Sequence, residues 1–349
     1  MEFSQQQHYS PQIPSAASVS RIMLEVLLAL LPGILVYIYF FGWGVLVNIV
    51  LAMLFAVIAE AAMLALRRRP LRATLMDGSA LVTAVLLALA LPPHSRWWIV
   101  AIGIVFAIVI AKQLYGGLGL NPFNPAMAGY VVLLISFPLE MTRWNPPLEL
   151  AEHPLSLLEA LRFSLSAQLP ASLQVDMISM ATPLDLVRER LDMDMPLSAI
   201  KDQFGIFGIL SGKGTEWINA AFLTGGAWLL WRRRIDWRIP LALLTAMLAA
   251  ASLFWLIDPE HYLSPLFHLF AGATMLGAFF IATDPVTAST TPLGRIIFGA
   301  GCGLLIYVIR NWGGYPDGVA FAVLLMNMAA PLIDHFTQPR ISGAKGQST

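Results

Sequence analysis

A single cysteine, Cys302, among 349 residues rules out a disulfide framework and denies this chain the four thiolates of an iron–sulfur cluster. The six histidines show no His-x-x-x-His or Glu-x-x-His spacing, so no metal site is expected. Nucleotide-binding glycine patterns are incomplete. Gly116-Gly117-Leu118-Gly119 lacks the third glycine of a dinucleotide fingerprint, and Gly212-Lys213-Gly214-Thr215 lacks the upstream glycine of a P-loop. Any redox role therefore falls to an organic cofactor. Charge is scarce as well, at 12% of residues, and 21 basic side chains balance 21 acidic ones. Nucleic acid is not an expected partner. The polar first twenty residues carry no cleavable-signal pattern, so insertion by the first apolar run is expected.

What the chain has instead is hydrophobic sequence, 58% of residues with mean hydropathy +0.71. Runs long enough to cross about 30 Å of hydrocarbon are predicted at 22–41, 44–66, 79–95, 97–115, 124–139, 216–231, 239–257, 265–283, 295–311 and 317–335. The expected fold class is thus an all-α integral membrane protein of about ten helices. The Pro-interrupted Asn121-Pro122-Phe123-Asn124-Pro125 suggests a broken helix re-entering the membrane.

Short basic loops stay in the cytoplasm. With Arg21 inside, alternation places Arg67-Arg68-Arg69, Arg72, Lys112, Arg232-Arg233-Arg234, Arg238, Arg295, Arg340 and Lys345 on that same side. The other side receives Pro92-Pro93-His94, Asp258-Pro259-Glu260-His261, Asn311-Trp312-Gly313 and a long insert. The expected organisation is a cytoplasmic tail (1–20), a five-helix membrane unit (21–139), a periplasmic insert (140–215), a second five-helix unit (216–336) and a cytoplasmic tail (337–349) in a bacterial inner membrane.

Two stretches echo one another five helices apart. Asp77-Gly78-Ser79 opens the third run, and Ala271-Gly272-Ala273-Thr274 lies within the eighth. Lys112 to Gly117 precedes the 122–125 junction, and Arg310 to Gly314 precedes Pro316-Asp317. A shift of five helices reverses direction through the membrane, which marks an inverted repeat with a ligand or ion pathway between its halves. The alternative is the general abundance of Gly and Pro in membrane helices.

Longer strings carry a resemblance. Gln113-Leu114-Tyr115-Gly116-Gly117-Leu118-Gly119-Leu120-Asn121-Pro122-Phe123-Asn124-Pro125-Ala126-Met127, Gly272 to Phe280, Thr283-Asp284-Pro285-Val286-Thr287-Ala288-Ser289 and Gly313 to Phe321 resemble the NqrB/RnfD family, that is, the RnfD component of Rnf ion-translocating electron-transport complexes and its sister in sodium-pumping NADH:quinone reductase. The resemblance runs from Arg21 to Arg340. It implies a component that is not active alone and that couples electron transfer between ferredoxin and NAD(H) to Na⁺ or H⁺ translocation. The implied partners are the other Rnf subunits (A, B, C, E and G) of the same complex. It also implies FMN joined through its phosphate to a threonine by a flavin transferase that reads Asp-x-x-Ser-x-x-Thr. Asp176, Ser179, Ala181 and Thr182 match that segment, with Thr182 as the acceptor; Met177 and Met180 depart from the small or polar residues common there. Read without the family, Thr182-Pro183-Leu184-Asp185 is a helix start with Thr182 as N-cap. A second, non-covalent riboflavin is implied in the membrane part, with Asn121, Phe123, Asn124, Met127, Gly272 and Thr274 as the candidate lining.

Candidate ion or charge sites are Glu60, Asp77, Lys112, Asp284 and Asp317, with Asp334 beside them. For span-end charges the alternative is snorkelling or capping, and for Glu60 a hydrogen bond across an Ala-rich contact. Glu25 is expected to pair with Arg21, four residues before it. A stand-alone channel or transporter of inverted-repeat type remains the competing functional class, separated from the first by whether the chain carries flavin.

Overall fold

The computed structural model describes residues 19–170, 173–315 and 317–338. The expected tails beyond these limits, with Arg340 and Lys345, lie outside the described residues, as does Pro316. The helices in chain order are α1 (Val19–Phe41), α2 (Gly44–Leu66), α3 (Leu71–Leu75), α4 (Ser79–Ala90), α5 (Trp97–Val105, continued by a π-type stretch Phe106–Gln113), α6 (Pro125–Ser136), α7 (Pro138–Thr142) and α8 (Leu157–Ser166). They continue as α9 (Pro183–Leu191), α10 (Leu197–Gln203), α11 (Thr215–Trp231), α12 (Arg238–Ile257), α13 (Pro265–Phe270), α14 (Thr274–Leu276, continued by a π-type stretch Gly277–Ile281), α15 (Pro292–Trp312) and α16 (Val319–Thr337). Among the described residues β-pairing is confined to two isolated bridges, Trp144 with Met180 and Phe207 with Gly212.

Five of these helices, α1, α2, α12, α15 and α16, are long and apolar enough to cross a membrane, and the chain is a multi-pass membrane protein. The other predicted runs coincide with shorter or interrupted apolar helices, and local chemistry explains the interruptions. The run predicted at 124–139 stops at Ser136 and restarts at Pro138, because proline disfavours helical geometry at the residue before it. The run predicted at 265–283 breaks between α13 and α14, with Gly272 at φ +54°. Residues 121–124 form a non-helical link into α6, and glycines 116, 117 and 119 leading into it all take positive φ.

Four helices begin alike, with Asn124, Thr182, Ser264 or Thr291 as N-cap and proline as the next residue. In each the cap side chain accepts from a backbone N–H that the first turn leaves free, and proline occupies a position that needs no donor. Helices then close on one another through small residues. A Cβ at Gly225 would lie 1.9 Å from the Ala29 carbonyl oxygen, and one at Gly303 2.1 Å from that of Leu243. These contacts join α1 to α11 and α12 to α15 with backbones touching.

The insert is held to the helices by two separate apolar clusters. Leu184, Val187, Leu197 and Ile200 pack on Leu263 and Phe267; Leu155, Ala160, Phe163 and Ile178 pack on Val47. The Pro92–Ser95 turn, the Asp258–Tyr262 turn and Trp312 gather on the same face: Ser164 donates to the Ser95 carbonyl, Leu197 N–H to that of Glu260, and Tyr262 packs on Trp312. The basic clusters gather on the opposite face. Arg67 and Arg69 donate to carbonyls of Gln113 and Gly116, and Arg295 pairs with Asp236 at 2.6 Å.

Candidate functional site

Two cavities lie along the seam between the N-terminal and C-terminal helices, one toward each face. The cavity on the insert face has a volume of about 150 Å³, on the order of ten times what one buried water needs. Its wall includes Tyr37, Tyr130, Trp144, Thr182, Lys213 and Asp317. Thr182 reaches this wall because the segment before it is pinned: Val175–Ile178 forms a 3₁₀ turn, and the Met180 N–H donates to the Trp144 carbonyl at 2.7 Å. Thr182 then opens α9 with a reciprocal capping box. Its Oγ1 donates to Asp185 Oδ2 at 2.6 Å, and the Asp185 N–H donates back to Oγ1 at 3.2 Å. The hydroxyl is half-buried at the cavity wall. Burial beside it pushes the Asp185 carboxyl above its ordinary range, against the lowering effect of the Thr182 hydrogen bonds. Ala181 shares the wall, whereas Ser179 is half-buried one step away; the Asp176 side chain lies outside the described residues.

The opposite cavity, about 110 Å³, is lined by Ser79, Lys112, Asn121, Asn124 and Asp284 among others. Beside it stands a buried polar chain. Lys112 Nζ donates to Glu60 Oε1 at 2.6 Å and to Ser79 Oγ at 2.7 Å, and Gln113 Nε2 donates to the same Glu60 oxygen at 2.8 Å. Ser79 in turn donates through its N–H and hydroxyl to Asp77 Oδ1. Glu60 Oε2 has no protein partner among the described residues, although Glu60 is fully buried. Asp284 accepts from the Val286 N–H and the Thr287 hydroxyl.

A second polar chain sits by the insert-face cavity. Arg310, 5% exposed, donates to the carbonyls of His268 and Ala271, to Thr274 Oγ1 at 2.9 Å and to Asp317 Oδ1 at 3.0 Å. Asp317 also accepts from the Ala273 N–H. In each chain a buried cation near the end of one helix binds a hydroxyl shortly after a positive-φ glycine, Ser79 after Gly78 and Thr274 after Gly272.

An aromatic septum separates the cavities. Phe222 lines the first and Phe279 and Phe280 the second. The Phe222 and Phe280 rings meet edge to face at 6.0 Å, and Phe222 fills the space a side chain at Gly33 would need.

The six residues expected to line a membrane flavin do not form one group. Asn121 and Asn124 belong to the opposite-face cavity, Met127 and Gly272 to the insert-face cavity, and Phe123 and Thr274 to neither. Thr274 is fully buried as Arg310's acceptor. Among the charge candidates, Glu60, Asp77 and Lys112 form one network, Asp284 shares Lys112's cavity, and Asp317 stands with Arg310 on the far side. Asp334 holds Ser289 and Thr290. Glu25 does pair with Arg21, at 3.5 Å, but its close partner is Arg234 across the α1–α11 contact, and these guanidinium contacts come from sequence nearly 210 residues away. Sequence reasoning passed over Arg310 as a site residue, and Asn219 and Asn327 altogether. Asn219 holds the Phe270 and Gly272 carbonyls and the Met275 N–H, and Asn327 joins the Asn124 N–H to the Thr287 carbonyl. A lone amide inside an apolar run was the available signal.

A family model described as the NQR2, RnfD, RnfE family matches residues 6–343. A protein of Yersinia pseudotuberculosis, named as the D component of an ion-translocating oxidoreductase complex, is 54% identical over 343 residues, covering 96% of this chain and 97% of the relative. Proteins of the same name from Shigella dysenteriae and Escherichia coli are 53% identical over 342 residues, with the same coverage.

Proposed function

The chain belongs to the NQR2, RnfD, RnfE family, and on that footing we propose that it is the flavin-carrying membrane component of an Rnf-type ion-translocating oxidoreductase complex. Its relatives' shared name supports a role in electron transport coupled to ion movement. The finer reading is that electrons pass between ferredoxin and NAD(H) while Na⁺ or H⁺ crosses the membrane. The other Rnf subunits (A, B, C, E and G) supply the chemistry this chain lacks, and the chain is inactive alone. The ten apolar segments are read as two inverted five-helix repeats with both termini cytoplasmic and the insert periplasmic. The paired Lys112–Ser79 and Arg310–Thr274 chains and the separation of basic clusters from the insert support that reading.

The observation that carries the flavin assignment is the position of the Thr182 hydroxyl at the wall of the insert-face cavity, on a segment matching the transferase motif. The residues present fit the group. Trp144, Tyr37 and Tyr130 offer aromatic faces, and the buried Ser211 hydroxyl in the same wall has no partner among the described residues. A flavin held there by a Thr182 phosphodiester would supply electron transfer that no side chain of this protein provides. The protein's own contribution is to orient Thr182 through Asp185 and to wall the cavity from lipid. For the non-covalent riboflavin the opposite-face cavity is the better site, with Asn121 and Asn124 as hydrogen-bonding residues. Glu60, Lys112 and Asp284 are the groups there that a coupling ion would meet.

Mass spectrometry of the peptide spanning residues 163–188, from cells that express the flavin transferase, tests the assignment. A mass increase equal to an esterified FMN on Thr182, absent without the transferase, is the expected result. An unmodified peptide from both hosts would overturn it.

A further inference from the structure

The turn before α11 contains Gly212-Lys213-Gly214-Thr215, the P-loop fragment that the sequence leaves without a role. It is a tight structure. The Gly208 N–H donates to the Ser211 carbonyl at 2.7 Å and the Lys213 N–H to the Ile206 carbonyl at 2.8 Å, while Glu216 Oε2 takes the N–H groups of Leu210 and Ser211. Gly214 holds φ +78° as N-cap of the 17-residue α11.

Three features make this turn more than a connection. Ser211 is 2% exposed and its hydroxyl has no hydrogen-bond partner among the described residues, although it lines the insert-face cavity. A buried hydroxyl left unpaired is unfavourable, so a ligand group is the natural acceptor or donor for it. Lys213 is the sole lysine or arginine in that cavity's described wall and forms no ion pair among the described residues. The turn also touches the Thr182 segment: a Cβ at Gly212 would meet Pro183 Cγ at 2.2 Å. The positive end of the α11 dipole favours an anion at the same place. Glu216 does not oppose this, because its carboxylate is engaged by backbone N–H groups within the turn.

We propose that Ser211 and Lys213, at the start of α11, form an anion subsite that receives the phosphate of a flavin nucleotide in the insert-face cavity. This rests on the reading of that cavity as a flavin site and adds which residues hold the phosphate. Covalent attachment at Thr182 then fixes one end of a phosphate whose charge Lys213 balances, and the ring is confined to the aromatic part of the cavity.

The test uses the full chain purified without the flavin transferase, in zwitterionic-lipid nanodiscs, titrated with free FMN and with riboflavin. The two ligands differ only in the phosphate. FMN is expected to bind at least tenfold more tightly, an advantage lost in Lys213→Gln, reduced in Ser211→Ala and largely kept in Lys213→Arg. Riboflavin binding should not change in any of them. Equal affinity for the two ligands, or an FMN advantage that survives Lys213→Gln, would overturn the subsite. Loss of that advantage when anionic lipid is added would reassign the turn to a lipid phosphate and likewise overturn the flavin subsite. An FMN advantage that depends on Lys213, in a protein whose Thr182 the transferase never loads, would keep the subsite and defeat the attachment reading instead.

Discussion

At the scale of the residue, the decisive positions are polar groups in apolar surroundings. Lys112 and Glu60 are 2% and 0% exposed as side chains, and removing one partner strands the other's charge. Lys112→Ala is expected to cost about 3–5 kcal/mol, read as a large fall in apparent melting temperature in detergent. Replacing both with methionine should cost far less. Equal losses in the single and double variants would mean that the pair does not act as a unit. Outside the membrane, the raised Asp185 carboxyl fixes a sign. A carboxyl whose pKa is higher folded than unfolded makes the folded state bind more protons between the two values, so stability falls as pH rises through that window. Hydrogen exchange in α9, corrected for intrinsic rate, should therefore quicken as pH rises from near 4, where Asp185 starts from its ordinary 3.8. Asp185→Asn should abolish that dependence. Thr182 as an N-cap was legible from Thr-Pro-Leu-Asp alone, since an N-cap needs only local chemistry. The Glu25–Arg234 contact was not, because its partners are 209 residues apart and no local period connects them.

At the scale of the element, close helix contacts rest on glycine. Gly303 leaves no space for a Cβ against the Leu243 carbonyl. Gly303→Ala should thus push α15 from α12 and cost about 1–3 kcal/mol, whereas Gly314→Ala, with open space around it, should leave thermal stability unchanged. A drop for Gly314→Ala equal to that for Gly303→Ala would contradict the backbone-contact explanation. The helices' places could be read from hydrophobic runs and from the four caps followed by proline. Their lengths could not. The breaks at Phe137 and at Gly272 are set by Pro138 and by tertiary partners such as Asn219 and Arg310, so the runs at 124–139 and 265–283 looked longer than the helices within them. The residues expected to line a membrane flavin are divided for a related reason. Residues adjacent in one motif, Asn124 and Met127, line cavities on opposite sides of the septum.

At the scale of the whole molecule, the two cavities lie on either side of an aromatic septum. Basic turns border one and the insert the other. Because Cys302 is fully buried, single introduced cysteines can report sidedness without background. Ile209→Cys, at a site 88% exposed on the insert, should react with a membrane-impermeant maleimide in intact spheroplasts. Arg233→Cys should react only after the membrane is opened. The reverse pattern would invert the orientation. From sequence, the basic clusters set only the expected sidedness, since short basic loops stay in the cytoplasm, and these labels test it. The cavities were not readable, because each is assembled from both halves of the chain.

The most direct measurement is flavin fluorescence of the denatured chain after electrophoresis, for wild type and Thr182→Ala, each made with and without the flavin transferase. If Thr182 is the acceptor, only wild type with transferase fluoresces. A dark wild-type band despite active transferase, or a Thr182→Ala band equally bright, would contradict it.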